Sequence, residues 1–166
     1  MRWVILGVLG GCEELEPCDE AATVDEPVLT IGVGEHGFER AVEEGEALPF
    51  ESGSQGGRHV FLAVRTSGFD PGRRMFLSTD EDIPTFHVVW TDTASAMHGE
   101  QWIAERAMEG DPLEAELALG RVFVPDVWGT GGTYDVGYVP PTDLRLLIEG
   151  EDACGTLLTS EVAVSL

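Results

Sequence analysis

The sequence predicts an all-β domain, folded as an antiparallel β-sandwich. Apolar and polar residues alternate over many short segments, as they do in strands with one buried face. Turn-forming residues separate these segments, with 21 Gly and 9 Pro in 166 residues. No β-α-β spacing is visible, and alternation without long apolar runs is typical of antiparallel sheets. An immunoglobulin-like sandwich is the first choice, and a jelly roll or barrel is the second.

Five strands are predicted in the first half of the chain, at residues 28–33, 47–50, 58–65, 74–78 and 86–91. The clearest of them is 58–65, which glycine-rich turns flank on both sides. Its alternation directs Val60, Leu62 and Val64 to the core and His59 to the outer face.

The second half of the chain is less uniform. Residues 94–110 fit either a short helix or an edge strand, and residues 128–133 form a glycine-rich loop. Further strands are predicted at residues 113–119, 122–124, 144–148 and 162–166. The total of about eight to ten short strands is typical of a sandwich.

The charge of the chain is strongly negative. There are 31 acidic residues against 9 basic ones, all of them Arg, which gives a net charge of −22. Binding to DNA or RNA depends largely on basic groups that neutralise phosphates. We therefore expect no nucleic-acid partner. The length and a hydrophobic content of 43% are sufficient for one domain with its own core.

The first twelve residues differ sharply from the rest. Arg2 precedes a short apolar segment at residues 3–9, which two glycines and Cys12 follow. The segment is too short to span a bilayer as a helix. It is typical of a cleaved leader that ends in small residues. A buried amino-terminal strand and secretion without an anchor are the alternatives.

The sequence Leu9-Gly10-Gly11-Cys12 resembles the lipobox of bacterial lipoproteins. The resemblance implies that a diacylglycerol is attached to Cys12 and that the leader is cut just before it. The leader is shorter than is usual in this class. The expected organisation is a signal peptide at 1–11, an acidic tether at 12–26 and a β-sandwich domain at 27–166. The implied location is the cell envelope, and Glu13 favours the outer membrane over the inner one.

The cysteine count is odd, with Cys12, Cys18 and Cys154. Lipid attachment at Cys12 leaves Cys18 and Cys154 as one pair. An exported protein reaches an oxidising compartment, in which a disulfide persists. We therefore predict a Cys18–Cys154 disulfide, with two unpaired thiols as the alternative.

A second resemblance involves Gln55-Gly56-Gly57-Arg58-His59-Val60 together with Asp152-Ala153-Cys154-Gly155. These two segments are similar to those of uncharacterised small β-sandwich lipoproteins from GC-rich Gram-negative bacteria. The resemblance implies the same architecture and no particular activity.

The ionisable residues do not form a familiar metal motif. The four histidines are His36, His59, His87 and His98, and their spacing matches neither zinc nor blue-copper sites. If His59 and His87 lay on neighbouring strands, they would share the outer face. The acidic residues Asp80, Glu81, Asp82, Asp126 and Asp135 do not have the spacing of a calcium-binding EF-hand. We predict no metal site and no cofactor.

No catalytic motif is present either, because the chain has no Gly-x-Ser-x-Gly elbow and no phosphate-binding loop. Aromatic residues could form either part of the core or a platform for a protein or saccharide partner. They are Phe61, Trp90, Trp102, Trp128 and Tyr138. We therefore predict a lipid-anchored, non-enzymatic binding or structural module. The alternatives are a lipoprotein that binds copper, zinc or calcium and, less favoured, an enzyme.

Overall fold

The computed structural model describes residues 17–52, 58–72, 83–93, 98–103, 107–123 and 143–165. These residues form one short helix and eleven strands. The elements are α1 (Pro17–Ala21), β1 (Val28–Val33), β2 (Arg40–Ala41), β3 (Glu46–Ala47), β4 (Glu51–Ser52), β5 (Arg58–Ser67), β6 (Thr85–Asp92), β7 (His98–Ile103), β8 (Glu109–Asp111), β9 (Glu114–Phe123), β10 (Asp143–Glu151) and β11 (Leu157–Ser165).

The described strands form two sheets. Sheet A has the strand order β2-β1-β5-β9-β8, and β4 pairs with the beginning of β5. Sheet B has the order β3-β11-β10-β6-β7. Among the described strands the pairings are antiparallel, except that β3 and β11 run parallel. The predicted all-β sandwich is confirmed, and its immunoglobulin-like topology stays a prediction.

The core lies between the two sheets and follows the alternation that the sequence displays. In β5, Val60, Leu62 and Val64 face the core and are at most 1% exposed, and His59 and Ala63 on the other face of the strand are buried as well. Sheet B contributes in the same way, because the period of two directs alternate side chains inwards. Its largest buried side chains are Phe86, Val88, Trp90, Leu144, Leu146 and Ile148.

A β-bulge allows β9 to keep its apolar face inside along its whole length. The register with β5 shifts between Leu62 and Ala63, which pair with Gly120 and Ala118. Gly120 has a φ of 76°, a conformation that glycine adopts at bulges without steric penalty. The extra residue shifts the alternation of β9 by one position, so that the side chain of Val122 points into the core as that of Leu119 does before the bulge. Both residues are buried.

The sequence allowed either a short helix or an edge strand for residues 94–110. The described parts of this segment form edge strands. Strand β7 ends sheet B, and β8 ends sheet A. Residues 94–97 and 104–106 lie outside the described parts.

Two strand boundaries differ from those predicted. Leu113 belongs to the turn before β9 and is 51% exposed, because Pro112 turns the chain there. The strand expected at 47–50 does not form: Ala47 ends β3 of sheet B, residues 48–50 belong to no strand, and β4 of sheet A begins only at Glu51. The predicted strand at 74–78 and the loop at 128–133 lie outside the described residues.

Part of the segment expected to be a tether is packed against the sandwich. Helix α1 lies within residues 12–26, and Ala21 near its end is 3% exposed. Cys18 in this helix forms a disulfide with Cys154, and their Cα atoms are 5.6 Å apart. The described part of the segment, residues 17–26, is therefore attached to the end of the domain that carries the β10–β11 turn.

Candidate functional site

The outer face of sheet B carries a compact group of aromatic and acidic side chains. The register aligns Glu149 of β10, His87 of β6 and Trp102 of β7 in one row across three strands. Glu100 lies two residues before Trp102, so the strand period places it on the same face. We call Glu100, His87, Trp102 and Glu149 the Trp102 cluster.

His87 is the centre of the Trp102 cluster. Its Nδ1 lies 3.1 Å from Oε2 of Glu149, and its Nε2 lies 3.2 Å from Oε2 of Glu100. A ring nitrogen that carries a proton donates to the carboxylate that it faces. The side chain of His87 is only 14% exposed, whereas those of Glu100 and Glu149 are 61% and 48% exposed.

The indole of Trp102 covers one face of this imidazole. The two ring centroids are 4.1 Å apart and the ring planes differ by 7°. Trp102 is nevertheless 66% exposed, because it lies on the edge strand of sheet B. The arrangement leaves much of an electron-rich aromatic surface accessible beside two carboxylates.

The aromatic residues considered for a platform have different positions. Trp102 is exposed, whereas Trp90 is 1% exposed and belongs to the core. Phe61 is half-buried on the outer face of sheet A, with the guanidinium carbon of Arg121 5.8 Å from its ring centroid. Trp128 and Tyr138 lie outside the described residues.

His59 and His87 do not lie on neighbouring strands, so the condition for sharing the outer face is not met. His59 lies on β5 of sheet A and His87 on β6 of sheet B, because the chain changes sheets between these strands. His59 is 4% exposed, and its Nε2 has no hydrogen-bond partner in the described structure. Oε2 of Glu51 is 3.6 Å from that nitrogen, and the rings of Phe61 and Phe123 flank the imidazole.

A network of buried polar groups surrounds the predicted disulfide. Asp152 is 5% exposed, and its Oδ2 accepts a hydrogen bond from the backbone N–H of Asp70 at 2.8 Å. Its Oδ1 accepts two more, from the backbone N–H groups of Cys154 at 2.9 Å and Thr156 at 2.7 Å. This carboxylate organises the β10–β11 turn so that Cys154 faces Cys18.

The described residues provide one set of three close potential metal ligands, Cys18, Asp70 and Cys154. The two sulfurs are bonded to each other, and a metal prefers thiolates. The geometry there is thus that of a disulfide.

The other residues considered as metal ligands lie elsewhere. His36 is exposed in the β1–β2 connection. The acidic residues Asp80, Glu81, Asp82, Asp126 and Asp135 lie outside the described parts, as do Cys12, the predicted site of lipid attachment, and the side chain of His98.

The sequence identified Trp102 and His87 as separate candidates, but it did not predict that their rings stack on each other. The contact depends on the register between β6 and β7, which pairs His87 with Trp102. The spacing Glu100-x-Trp102 was a local signal, since residues two apart share one face of a strand. The role of Asp152 had a signal as well, because Asp before a turn accepts hydrogen bonds from the following backbone.

No helix among the described residues is both long and apolar enough to cross a bilayer. No protein-family model, curated protein or solved structure matches this chain.

Proposed function

We propose that this protein is a lipid-anchored, non-enzymatic binding module of the bacterial cell envelope, and that the Trp102 cluster recognises a cationic group of its partner. The lipobox ending in Cys12 supports the anchor. The Cys18–Cys154 disulfide supports an exported location, because disulfides persist mainly in oxidising compartments. Glu13 favours the outer membrane.

One observation carries the choice of ligand: the exposed indole of Trp102 lies beside the carboxylates of Glu100 and Glu149. A cation over the face of a Trp ring is attracted by the negative electrostatic potential of that face. A neighbouring carboxylate can accept a hydrogen bond from an ammonium or guanidinium N–H. The expected ligand is therefore a Lys or Arg side chain or a similar organic cation.

The overall charge favours the same class of ligand. A net charge of −22 attracts cations over long distances and repels anionic polymers. It gives no advantage to a neutral saccharide. A saccharide remains the competing ligand, because its C–H groups can also stack on an indole.

We propose binding and not catalysis because the ionisable groups of the Trp102 cluster are engaged with one another. Both nitrogens of His87 contact carboxylates, and its ring face contacts Trp102. Such a histidine is held in place as part of a rigid surface. This arrangement suits recognition by shape and charge.

The test is titration of the full-length protein with an arginine-rich peptide and, separately, with a neutral oligosaccharide, followed by the indole N–H resonances in NMR spectra. We expect the peptide to shift the resonance of Trp102 and added salt to weaken the effect. Trp102→Ala should abolish binding, and Glu100→Gln should weaken it. Val28→Ala is the control, because Val28 is 48% exposed but lies on β1 of sheet A, away from β7.

Peptide binding that is unchanged in Trp102→Ala would refute the assigned site. Binding of the oligosaccharide without binding of the peptide would replace the cation with a sugar. The anchor has its own test: Cys12→Ser should release the protein from membranes, and unchanged membrane association would contradict it.

A further inference from the structure

Three exposed apolar side chains gather at one end of the sandwich. Val28, Leu113 and Leu157 are 48%, 51% and 70% exposed. They lie at the beginning of β1, in the β8–β9 turn and at the beginning of β11. We call this end the cystine pole, because the Cys18–Cys154 disulfide also lies there.

Backbone contacts place these residues at the same end. Val28 pairs with Ser67 at the end of β5, and the next residue, Gly68, donates its N–H to the carbonyl of Pro112 at 2.8 Å. Leu113 follows Pro112 directly. Leu157 pairs with Glu151. The turn between them contains Cys154 and is joined to the chain after β5 by the hydrogen bond between Asp152 and Asp70.

The covalent connection brings the cystine pole close to the lipid anchor proposed above. Cys12 precedes Cys18 by six residues. Six residues reach about 20 Å at full extension. The ten-residue strands β5 and β9 have a length of about 33 Å. The pole that contains Cys18 therefore has the shortest path to the bilayer, and the end at Phe123 lies farther away.

We propose, building on that lipid anchor, that the cystine pole rests on the membrane surface and that Val28, Leu113 and Leu157 contact the lipid headgroup region. The occupant of this apolar rim is the membrane that holds the anchor. The strands would then rise from the bilayer, and the β1–β2 connection and Phe123 would face away from it.

Charge at the cystine pole restricts the kind of lipid. Asp19, Asp25 and Glu26 are exposed just before β1, and Asp111 and Glu114 flank the turn of Leu113. Like charges repel within a Debye length of about 8 Å at physiological salt. The pole is therefore expected to contact zwitterionic headgroups, and an anionic surface should push it away.

Three partly exposed aliphatic side chains bind a membrane weakly by themselves. The anchor changes this, because it makes the contact intramolecular and gives the pole a high effective concentration at the surface. The acyl chains provide most of the affinity for the membrane, and the three side chains determine the orientation of the domain on its surface.

The experiment uses the full-length lipid-modified protein in phosphatidylcholine vesicles that contain a photoreactive phosphatidylcholine. Cross-linked peptides are then identified by mass spectrometry. We expect cross-links around Val28, Leu113 and Leu157. The variant Leu113→Ser/Leu157→Ser should lose them, whereas Phe123→Ser, an equally exposed apolar residue at the other end, should retain them. Phosphatidylglycerol vesicles should reduce the cross-linking.

Vesicle-bound protein that cross-links evenly over its surface, or mainly around Phe123, would overturn the orientation and leave the anchor intact. Equal cross-linking on phosphatidylglycerol vesicles would contradict the preference for zwitterionic lipid. Protein that does not float with the vesicles would overturn both the anchor and the orientation, so the two failures are distinguishable.

Discussion

Asp152 accepts a hydrogen bond from the backbone N–H of Asp70, 82 residues earlier in the chain. This contact links the β10–β11 turn of sheet B to the segment that follows β5 of sheet A. Asp70 is itself buried, and its Oδ1 accepts the N–H of Gly72 at 3.0 Å. The two carboxylates thus hold two chain segments, residues 70–72 and the β10–β11 turn, together beside the disulfide.

Replacing Asp152 with Ala should destabilise the fold by about 3 kcal/mol, because up to three backbone N–H groups lose a charged acceptor in a buried position. Asp152→Asn should have a smaller effect, since one oxygen remains. Denaturant unfolding followed by tryptophan fluorescence measures both changes. The exposed Asp19, at the same end of the domain, provides the control: Asp19→Ala should leave the midpoint nearly unchanged. Equal stability of Asp152→Ala and the parent protein would contradict the structural role of this carboxylate.

Removal of the disulfide should destabilise the protein by up to about 5 kcal/mol, on the chain-entropy model for a long closed loop. The bridge joins residues that are 136 positions apart, so reduction frees a large part of the unfolded chain. Cys18→Ser, Cys154→Ser and the double variant should be about equally destabilised, because each lacks the same bond. Unfolding curves with and without reductant test this.

The parent protein should lose its stability advantage in reductant, whereas the double variant should not respond. Peptide mapping without reduction should join the peptides of Cys18 and Cys154. Free thiols at both positions would reject the bridge and the support that it gives to an exported location.

The strands that follow a simple alternation were predictable from the sequence. Val60, Leu62 and Val64 in β5 are buried as expected, because the period of two in a strand is local information. The pairing of strands is not local. His59 and His87 both occupy outward positions, yet they lie on opposite faces of the sandwich because their strands belong to different sheets. A single sequence does not specify that choice.

The Trp102 cluster illustrates the same limit. Each of its residues is visible in the sequence, but Glu149 lies 62 positions from His87. The pair of carboxylates around the imidazole arises only when β10 pairs with β6. Conversely, the pairing of Cys18 with Cys154 was predictable, because counting cysteines and assigning Cys12 to the predicted anchor needs no knowledge of register.

Two glycines with positive φ should respond differently to alanine. Gly68 and Gly120 have φ values of 68° and 76°. A Cβ on Gly120 would meet nothing within 4 Å, whereas one on Gly68 would lie 2.9 Å from Cβ of Pro27 and 3.0 Å from Cβ of Val24. We expect Gly120→Ala to destabilise the fold by about 1 kcal/mol from backbone strain alone. Gly68→Ala should combine similar backbone strain with overpacking, and we expect it to destabilise the fold by about 2–4 kcal/mol in total.

Thermal unfolding of the two variants, measured in parallel, tests this comparison. Because the backbone strain is similar at both sites, the difference between them reports the packing of the segment before β1 against the domain. Equal destabilisation of the two variants would mean that Val24 and Pro27 move aside at little energetic cost. The segment before β1 would then be packed less tightly against the domain than its disulfide suggests.

An ion pair between Arg40 and Glu46 connects one edge strand of each sheet, and we expect it to make the free energy of unfolding depend on pH. Arg40 of β2 in sheet A donates through Nη1 to Oε2 of Glu46 at 2.9 Å and through Nη2 to Oε1, and Glu46 belongs to β3 of sheet B. The hydrogen bonds from Arg40 lower the pKa of Glu46, and the N–H of Glu43 contributes in the same direction. The same pairing raises the pKa of Arg40.

A carboxyl group whose pKa is lower in the folded protein stabilises the fold above its unfolded pKa, which is about 4.3 for Glu. This contribution is lost as the pH falls through the lower, folded value. Glu46→Gln should therefore be slightly less stable than the parent protein at pH 7, and the difference should shrink below about pH 4. The effect should be small, because the Arg40 side chain is 51% exposed and solvent screens the pair. Unfolding midpoints across this pH range, with the exposed Glu26→Gln as control, measure it. A difference that grows on acidification would reverse the sign and show that Glu46 does not act through its charge.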